Sequence, residues 1–364
     1  MPKYSLTTIA TAAAVILAVM WARTPNPEKW ALKPQPAGKD NHPACPDGTD
    51  SVAIFFGATS MLGRYIVSTW REKSPKTCVV SYARSRCADC HVNIKGDLRD
   101  TMHVERVFQS YNADMVLTAV KPPLLGITYD VYLTLNFYSM AELVRIAKES
   151  GVKRFLHVSS IAASSHYVHH HMSTETTPQP KLTEYKAPYD VSKRLGEEVV
   201  LRAHSDEFTT VSIRVSGIIG GDGDPYDVYR MPFIPSFSCP HVIDSNFAGN
   251  IADALHVVDE TMKSTPSVGG QFYYYTGEHL SESDVADLIG EARGKPVIRL
   301  PFAILETIIK VWSWARVDHT VYSNLDLMKM AVIEQTFDQS KFFSTFHFTP
   351  SYTVREAVMK LYKK

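Results

Sequence analysis

The sequence predicts an α/β protein: a doubly wound parallel sheet with a smaller substrate-binding region toward its C-terminal end. Two observations carry this. Short apolar runs (SVAIFF, CVVSY, DMVLTA, RFLHVS, TTVSIRV) recur along the chain, and helical stretches such as MLGRYIVSTWREK and YDVSKRLGEEVVLRA separate them. Strands alternating with helices of that length form βαβ units, whose strands lie parallel. The first strand also runs into a Gly-containing turn, and such sheets bind ligands beyond the carboxyl ends of their strands.

Composition narrows the function. The chain has 364 residues, 38 basic and 38 acidic side chains, and is 45% hydrophobic. A balanced charge argues against a nucleic-acid binder, and the apolar share excludes a disordered chain. Five cysteines, an odd number, suggest free thiols in a reducing compartment rather than a disulfide framework.

The first element is a candidate membrane anchor over residues 1–23. No charged residue stands between Lys3 and Arg23, and the stretch is long enough, at ~1.5 Å per residue, to cross roughly 30 Å of hydrocarbon. Met20, Trp21 and Ala22 do not form the small-residue site of a cleaved signal peptide. Arg23, Lys29 and Lys33 outnumber Lys3, which places the body in the cytosol, at the endoplasmic reticulum membrane. Residues 24–50 carry six prolines between Pro25 and Pro46 and read as an extended tether.

The body divides into a Rossmann-type dinucleotide-binding unit over 51–215 and a substrate-binding region over 216–364, partly interleaved with its sheet. FFGATSMLG joins the first strand to the first helix. Gly57 and Gly63 fall where a tight turn and close packing leave no room for a Cβ, and the helix N-terminus behind them suits a pyrophosphate. Thr59, Ser60, Met61 and Leu62 complete that candidate cofactor loop, with Ser60 where a third glycine is usual. The next strand ends in Arg84, Ser85 and Arg86. Cations there suit a 2′-phosphate where an NAD site usually has a carboxylate, so NADP is expected ahead of NAD.

Tyr189 and Lys193 stand four apart at the start of a helix and share a face. A tyrosine, with an ordinary pKa of about 10, becomes a usable proton acceptor when an ammonium lies close. Ser159 and Ser160 end the strand upstream, where Ser160 can hydrogen-bond a substrate oxygen.

With GATSMLG, YDVSK and the strand ending in SS in place, the chain resembles the extended short-chain dehydrogenase/reductase superfamily. It is most similar to the 3β-hydroxysteroid dehydrogenase/isomerase branch, which includes sterol-4α-carboxylate 3-dehydrogenases. The resemblance runs from about Val52 to Tyr362 and extends to GDLRD, RVSGIIGGDGDP, HVIDSNFAGNIADALHVV, GGQFYYYTGEHLSESDVADLIGEARGKP and FDQSKFFSTFHFTPSYTVREAV. It implies that Asp97, with Leu98 beside it, contacts the cofactor adenine and that Asn136 belongs to a catalytic proton relay. It implies hydride transfer between nicotinamide and a secondary alcohol or ketone, with Tyr189 exchanging the proton, Lys193 holding the ribose and Ser160 orienting the substrate. The implied partners are a steroid or sterol and a membrane, with homodimerisation an option. Phe56, Ser60 and Ile219 depart from the family pattern.

Two other readings stay open. Nucleotide-sugar epimerisation uses the same scaffold, although MPFIPSFSCPHVI is apolar where a diphosphate clamp would lie. A non-catalytic NADPH-binding interaction protein would usually lack the Tyr189–Lys193 pair. Of the remaining features, CADCH at 87–91 spells a haem-attachment motif but reads as a solvated loop. His166, His169, His170 and His171 read as a polar surface loop at the substrate rim. Residues 300–314 are apolar but too short to span a bilayer, and read as a core helix or a monotopic patch.

Overall fold

The computed structural model describes residues 42–122, 127–221, 232–237, 241–301, 303, 307 and 332–363. The proposed anchor, most of the tether and nearly all of 300–314 lie outside these residues. Among the described residues no helix is long and apolar enough to cross a membrane.

Seven strands form the main sheet: β1 (Ser51–Phe56), β2 (Thr77–Ala83), β3 (Val92–Lys95), β4 (Met115–Thr118), β5 (Arg154–Ser160), β7 (Thr209–Val215) and β11 (Gln271–Tyr274). Their order is β11-β7-β5-β4-β1-β2-β3, and every pairing is parallel. The continuous apolar strands are explained by burial on both faces. In β1, Ile54 and Phe56 pack with Val80, Val107 and Phe108, whereas Ala53 and Phe55 point the other way, toward Ile66, Trp70 and Leu255. That alternation follows from the two-residue period of a strand.

Helix α1 (Met61–Lys73) follows β1, and α2 (Thr101–Ser110) follows β3. The helical segment before β5 is interrupted: α3 (Tyr129–Leu133) passes through a π turn over Thr134–Tyr138 into α4 (Ser139–Glu149). Helix α5 (Pro188–Arg202) begins with proline at its first position, where the missing N–H costs nothing. The strand order reverses between β1 and β4, which opens a crevice at their carboxyl ends.

A second sheet runs β12 (Glu278–Ser281), β10 (Val242–Phe247), β14 (Gln335–Phe337), β6 (His170–Ser173), with β8 (Gly217–Ile219) also paired to β10. A two-stranded sheet joins β9 (Ile234–Phe237) to β13 (Val297–Leu300). The histidine-rich stretch is therefore more than a surface loop: His170 starts β6, is buried, and lies against Phe337 with ring centroids 4.9 Å apart. Strand β11 extends the main sheet from beyond residue 215, so the two regions share one sheet.

The structure corrects the reading of the cysteines. Cys45 is bonded to Cys78 in β2, and Cys87 to Cys90, with Cα–Cα distances of 5.8 and 5.5 Å. The CADCH loop is thus closed by its own disulfide. The end of the tether is likewise fixed to the body, because Pro43 accepts a 2.7 Å hydrogen bond from the Tyr111 hydroxyl and His42 lies 2.5 Å from the Ser110 hydroxyl. Disulfides persist in oxidising surroundings, which opposes the reducing compartment inferred from the cysteine count.

The Cys45–Cys78 bridge closes a 33-residue separation. Cys45→Ser should lower the unfolding free energy by about 2–4 kcal/mol, measured by urea denaturation. Alkylation of the unreduced protein taken from its native source should leave Cys45, Cys78, Cys87 and Cys90 unlabelled.

Candidate active site

The site forms where β5 and α5 meet at the carboxyl edge of the sheet. Ser160 ends β5 and caps the following turn, its Oγ accepting from the Ala162 N–H at 3.2 Å. Tyr189 and Lys193 share a face of α5, and both are buried. Asn136 lies in the π turn and is also buried, its side-chain amide donating to Ser192 Oγ at 2.9 Å. The Ser192 hydroxyl in turn donates to the Tyr189 carbonyl at 2.8 Å. All four residues predicted as catalytic thus converge on α5 and its neighbours.

What lets them converge is Gly196. A Cβ there would stand 1.9 Å from the Asn136 carbonyl oxygen, so only glycine allows α5 to press against the π turn. The turn displaces the Asn136 carbonyl from regular helical register, a device frequent at functional sites.

Burial sets the electrostatics. It pushes the Tyr189 phenol well above its ordinary value; a side-chain hydrogen bond with Ser160 pulls it down, and the Asp190 carboxylate pushes it up again. The expected pull of Lys193 is outweighed, and the phenol is protonated at neutral pH. Burial lowers Lys193 to about 8, Lys121 repels it further, and Glu197 opposes both. Both groups therefore move toward their neutral forms, as desolvation requires.

The cofactor loop is built as its glycines predict. Gly57 has φ +93°, and a Cβ on it would lie 2.7 Å from the Ala119 carbonyl oxygen at the exit of β4. A Cβ on Gly63 would stand 2.2 Å from the Gly57 carbonyl oxygen. Ser60 is the N-cap of α1, accepting from the Gly63 N–H at 3.0 Å. Its O–H remains free to donate, while one first-turn N–H is already used. Thr59 and Met61 line the same turn half-buried, and Leu62 is in the core. This cradle fits a pyrophosphate.

Arg84, Ser85 and Arg86 are exposed just beyond β2. Asp97 is buried and engaged by Arg99, through Nε to Oδ1 at 2.9 Å and Nη2 to Oδ2 at 2.6 Å. Its role as an adenine contact would share those oxygens with Arg99. Leu98 is buried in the core beside it.

Sequence reasoning passed over Ser192, Gly196, Asp190, Lys121 and a role for His166. A glycine inside a helical pattern was the one available signal; the π turn leaves none.

A family model described as the NAD dependent epimerase/dehydratase family matches residues 53–237. The chain belongs to this family. Among curated relatives, it is 25% identical over 193 residues to a decarboxylating sterol-4-alpha-carboxylate 3-dehydrogenase of Schizosaccharomyces pombe, covering 50% of this chain and 55% of that protein. The chain therefore matches about half the length of that relative. It is 26% identical to the mitochondrial NADH dehydrogenase [ubiquinone] 1 alpha subcomplex subunit 9 of Arabidopsis thaliana, covering 71% of this chain and 62% of that one. A solved dTDP-glucose 4,6-dehydratase of Bacillus anthracis in complex with NAD superposes with a TM-score of 0.63 at 13% identity, covering 85% of this chain and 95% of that chain. At that identity the likeness shows the fold.

As a family member with a buried lysine in its site, the protein should show a specific pH signature. Lys193 sits near 8 in the folded chain and near its ordinary value of about 10.4 when unfolded. Between these values the unfolded state binds more protons, so stability rises with pH. The Tm should drift upward between about pH 8 and 10, and Lys193→Met should remove that drift, as read by calorimetry.

Proposed function

We propose that this protein is an NADP-preferring oxidoreductase acting on a secondary alcohol or ketone, at the 3-position of a steroid or sterol. The observation that carries the reading is the convergence of Ser160, Tyr189, Lys193 and Asn136 at the carboxyl edge of the sheet. When bound, the nicotinamide supplies the hydride acceptor or donor. The chain's own residues do the rest.

Tyr189 exchanges the hydroxyl proton. In reduction it gives its proton to the substrate oxygen, and in oxidation it takes one. Burial favours the protonated phenol, the form that gives a proton in reduction. Ser160 holds the substrate oxygen through its hydroxyl. Lys193 would hold the nicotinamide ribose, and Asn136 would position the water that returns the proton. Gly57, Gly63 and the α1 N-terminus would seat the pyrophosphate.

NADP preference is supported by Arg84 and Arg86, exposed beyond β2 with no carboxylate in the run Tyr82 to Arg86. The sterol assignment is supported by the relative named a sterol-4-alpha-carboxylate 3-dehydrogenase and by the motif resemblance. Residues 1–23 serve in this reading as a membrane anchor. The flanking charges favour a cytosolic body, whereas the two disulfides support an oxidising lumen, which we favour. Alkylation of the unreduced protein from its native source tests this: labelling of Cys45, Cys78, Cys87 and Cys90 would place the body in the cytosol instead.

The decisive experiment follows nicotinamide absorbance with 3β-hydroxysteroids, 4α-carboxysterols and their ketones. Tyr189→Phe should lose at least about 100-fold in turnover while NADPH binding, read by fluorescence, is retained; undiminished turnover refutes the mechanism. Tight NADPH binding with no turnover of any substrate would mark a binding protein instead. Arg84→Ala should raise KM for NADP about tenfold or more and leave KM for NAD unchanged; equal effects on both would remove the NADP assignment.

A further inference from the structure

Beside Tyr189 lies an imidazole–carboxylate pair that the mechanism above does not use. Asp190, the next residue of α5, is wholly buried. Its Oδ2 accepts the His166 backbone N–H at 2.7 Å, and its Oδ1 lies 2.9 Å from His166 Nδ1. A carboxylate oxygen accepts, so Nδ1 carries the proton and Nε2 faces away from Asp190. The His166 side chain is 12% exposed.

The ring lies nearly parallel to the Tyr189 phenol, with an interplanar angle of 8° and centroids 6.5 Å apart. Tyr132 meets the same phenol edge-on at 5.7 Å. The backbone is bent to deliver the histidine: Ser165 has φ +75°, a conformation that non-glycine residues avoid unless their surroundings hold them there. The Gln335 side chain donates to the Val168 carbonyl at 2.8 Å, tying the same loop to β14.

We propose that His166, held by Asp190, is a positioning residue for Tyr189, and that its charge sets how readily the phenol releases its proton. The proposal rests on the oxidoreductase reading above. Asp190 places a buried negative charge next to Tyr189, which makes the phenolate costly. A charged imidazolium cancels that carboxylate; a neutral imidazole leaves it uncompensated. Among the described residues, the other titratable groups near this pair include Tyr189 on α5, Tyr185 just before α5, Tyr132 on α3 and His170 on β6. Burial disfavours the charged forms of His170, Tyr132 and Tyr185, lowering the first and raising the other two. Lys193 lies one turn further along α5.

The consequence is a kink in the pH profile. Phenolate increases with pH, but the rise should slacken across the step in which the imidazolium gives up its proton. In alcohol oxidation, His166→Gln should therefore show one uninterrupted slope. Its kcat/KM should fall about tenfold below the native protein on the acid side of that step, the effect of one unit in the phenol, and should meet the native curve on its alkaline side.

A readout without turnover accompanies this. The His166 ring titration, followed by NMR in the absence of cofactor, should move to lower pH in Asp190→Asn. A His166→Gln profile that superimposes on the native one, or lies below it equally at every pH, overturns the proposal. So does a His166 titration unaffected by Asp190→Asn. If Tyr189→Phe keeps its turnover, the oxidoreductase mechanism fails instead; with Tyr189→Phe inactive, an unaltered His166→Gln profile fails the dyad alone.

Discussion

The register of α5 against the sheet is the constraint on which the site depends, and a buried ion pair holds it. Glu197, one turn beyond Lys193, meets Arg214 of β7 with both side chains almost wholly buried. Burial drives the Glu197 carboxyl up, but the guanidinium pulls harder and leaves it below its usual range. Arg214 also donates to Ser164 at 2.8 Å and to the Tyr274 hydroxyl at 3.0 Å, and its guanidinium lies 3.6 Å from the Phe272 ring centre. One side chain therefore joins the turn after β5, helix α5, β7 and β11. Removing one partner of such a pair costs about 3–5 kcal/mol because the other charge is stranded. Its value here is geometric: α5 cannot slide without breaking it, so Tyr189 and Lys193 stay opposite Ser160.

The same helix is fixed on its other side by close contact rather than charge. Gly196 lets it meet the Asn136 carbonyl, and the chain Asn136–Ser192–Tyr189 carries hydrogen bonds from the π turn to the Tyr189 backbone. Helix and turn then share one arrangement. Such closeness has an electrostatic effect: removing water raises the phenol and lowers the lysine together. Both groups become responsive to nearby charges, because charges act more strongly where water is excluded.

The periphery is held covalently. Cys45–Cys78 fastens the segment before β1 to β2, and Tyr111 holds it through Pro43. The Cys87–Cys90 loop follows directly on the exposed Arg84–Arg86 run at the cofactor end of β2. A three-residue separation is short enough to bond locally, whereas Cys45 and Cys78 meet only because β2 lies next to β1 at the centre of the sheet. Counting cysteines gave neither pairing, since an odd total says nothing about which thiols come within reach.

The sequence by itself determined what local pattern can encode. It fixed the alternation of strand and helix, the glycines of the first turn, the cations after β2 and the four-residue spacing of Tyr189 and Lys193. Each depends on neighbours in the chain: a two-residue strand period, a helical turn, a backbone that tolerates no Cβ. Tertiary structure decided the rest. The π turn at Asn136, the His166–Asp190 pair 24 residues apart, the commitment of Asp97 to Arg99 and strand β6 within the histidine run arise from packing between distant segments. Buried polar groups must find partners wherever the fold brings them, and that requirement cannot be read from local spacing.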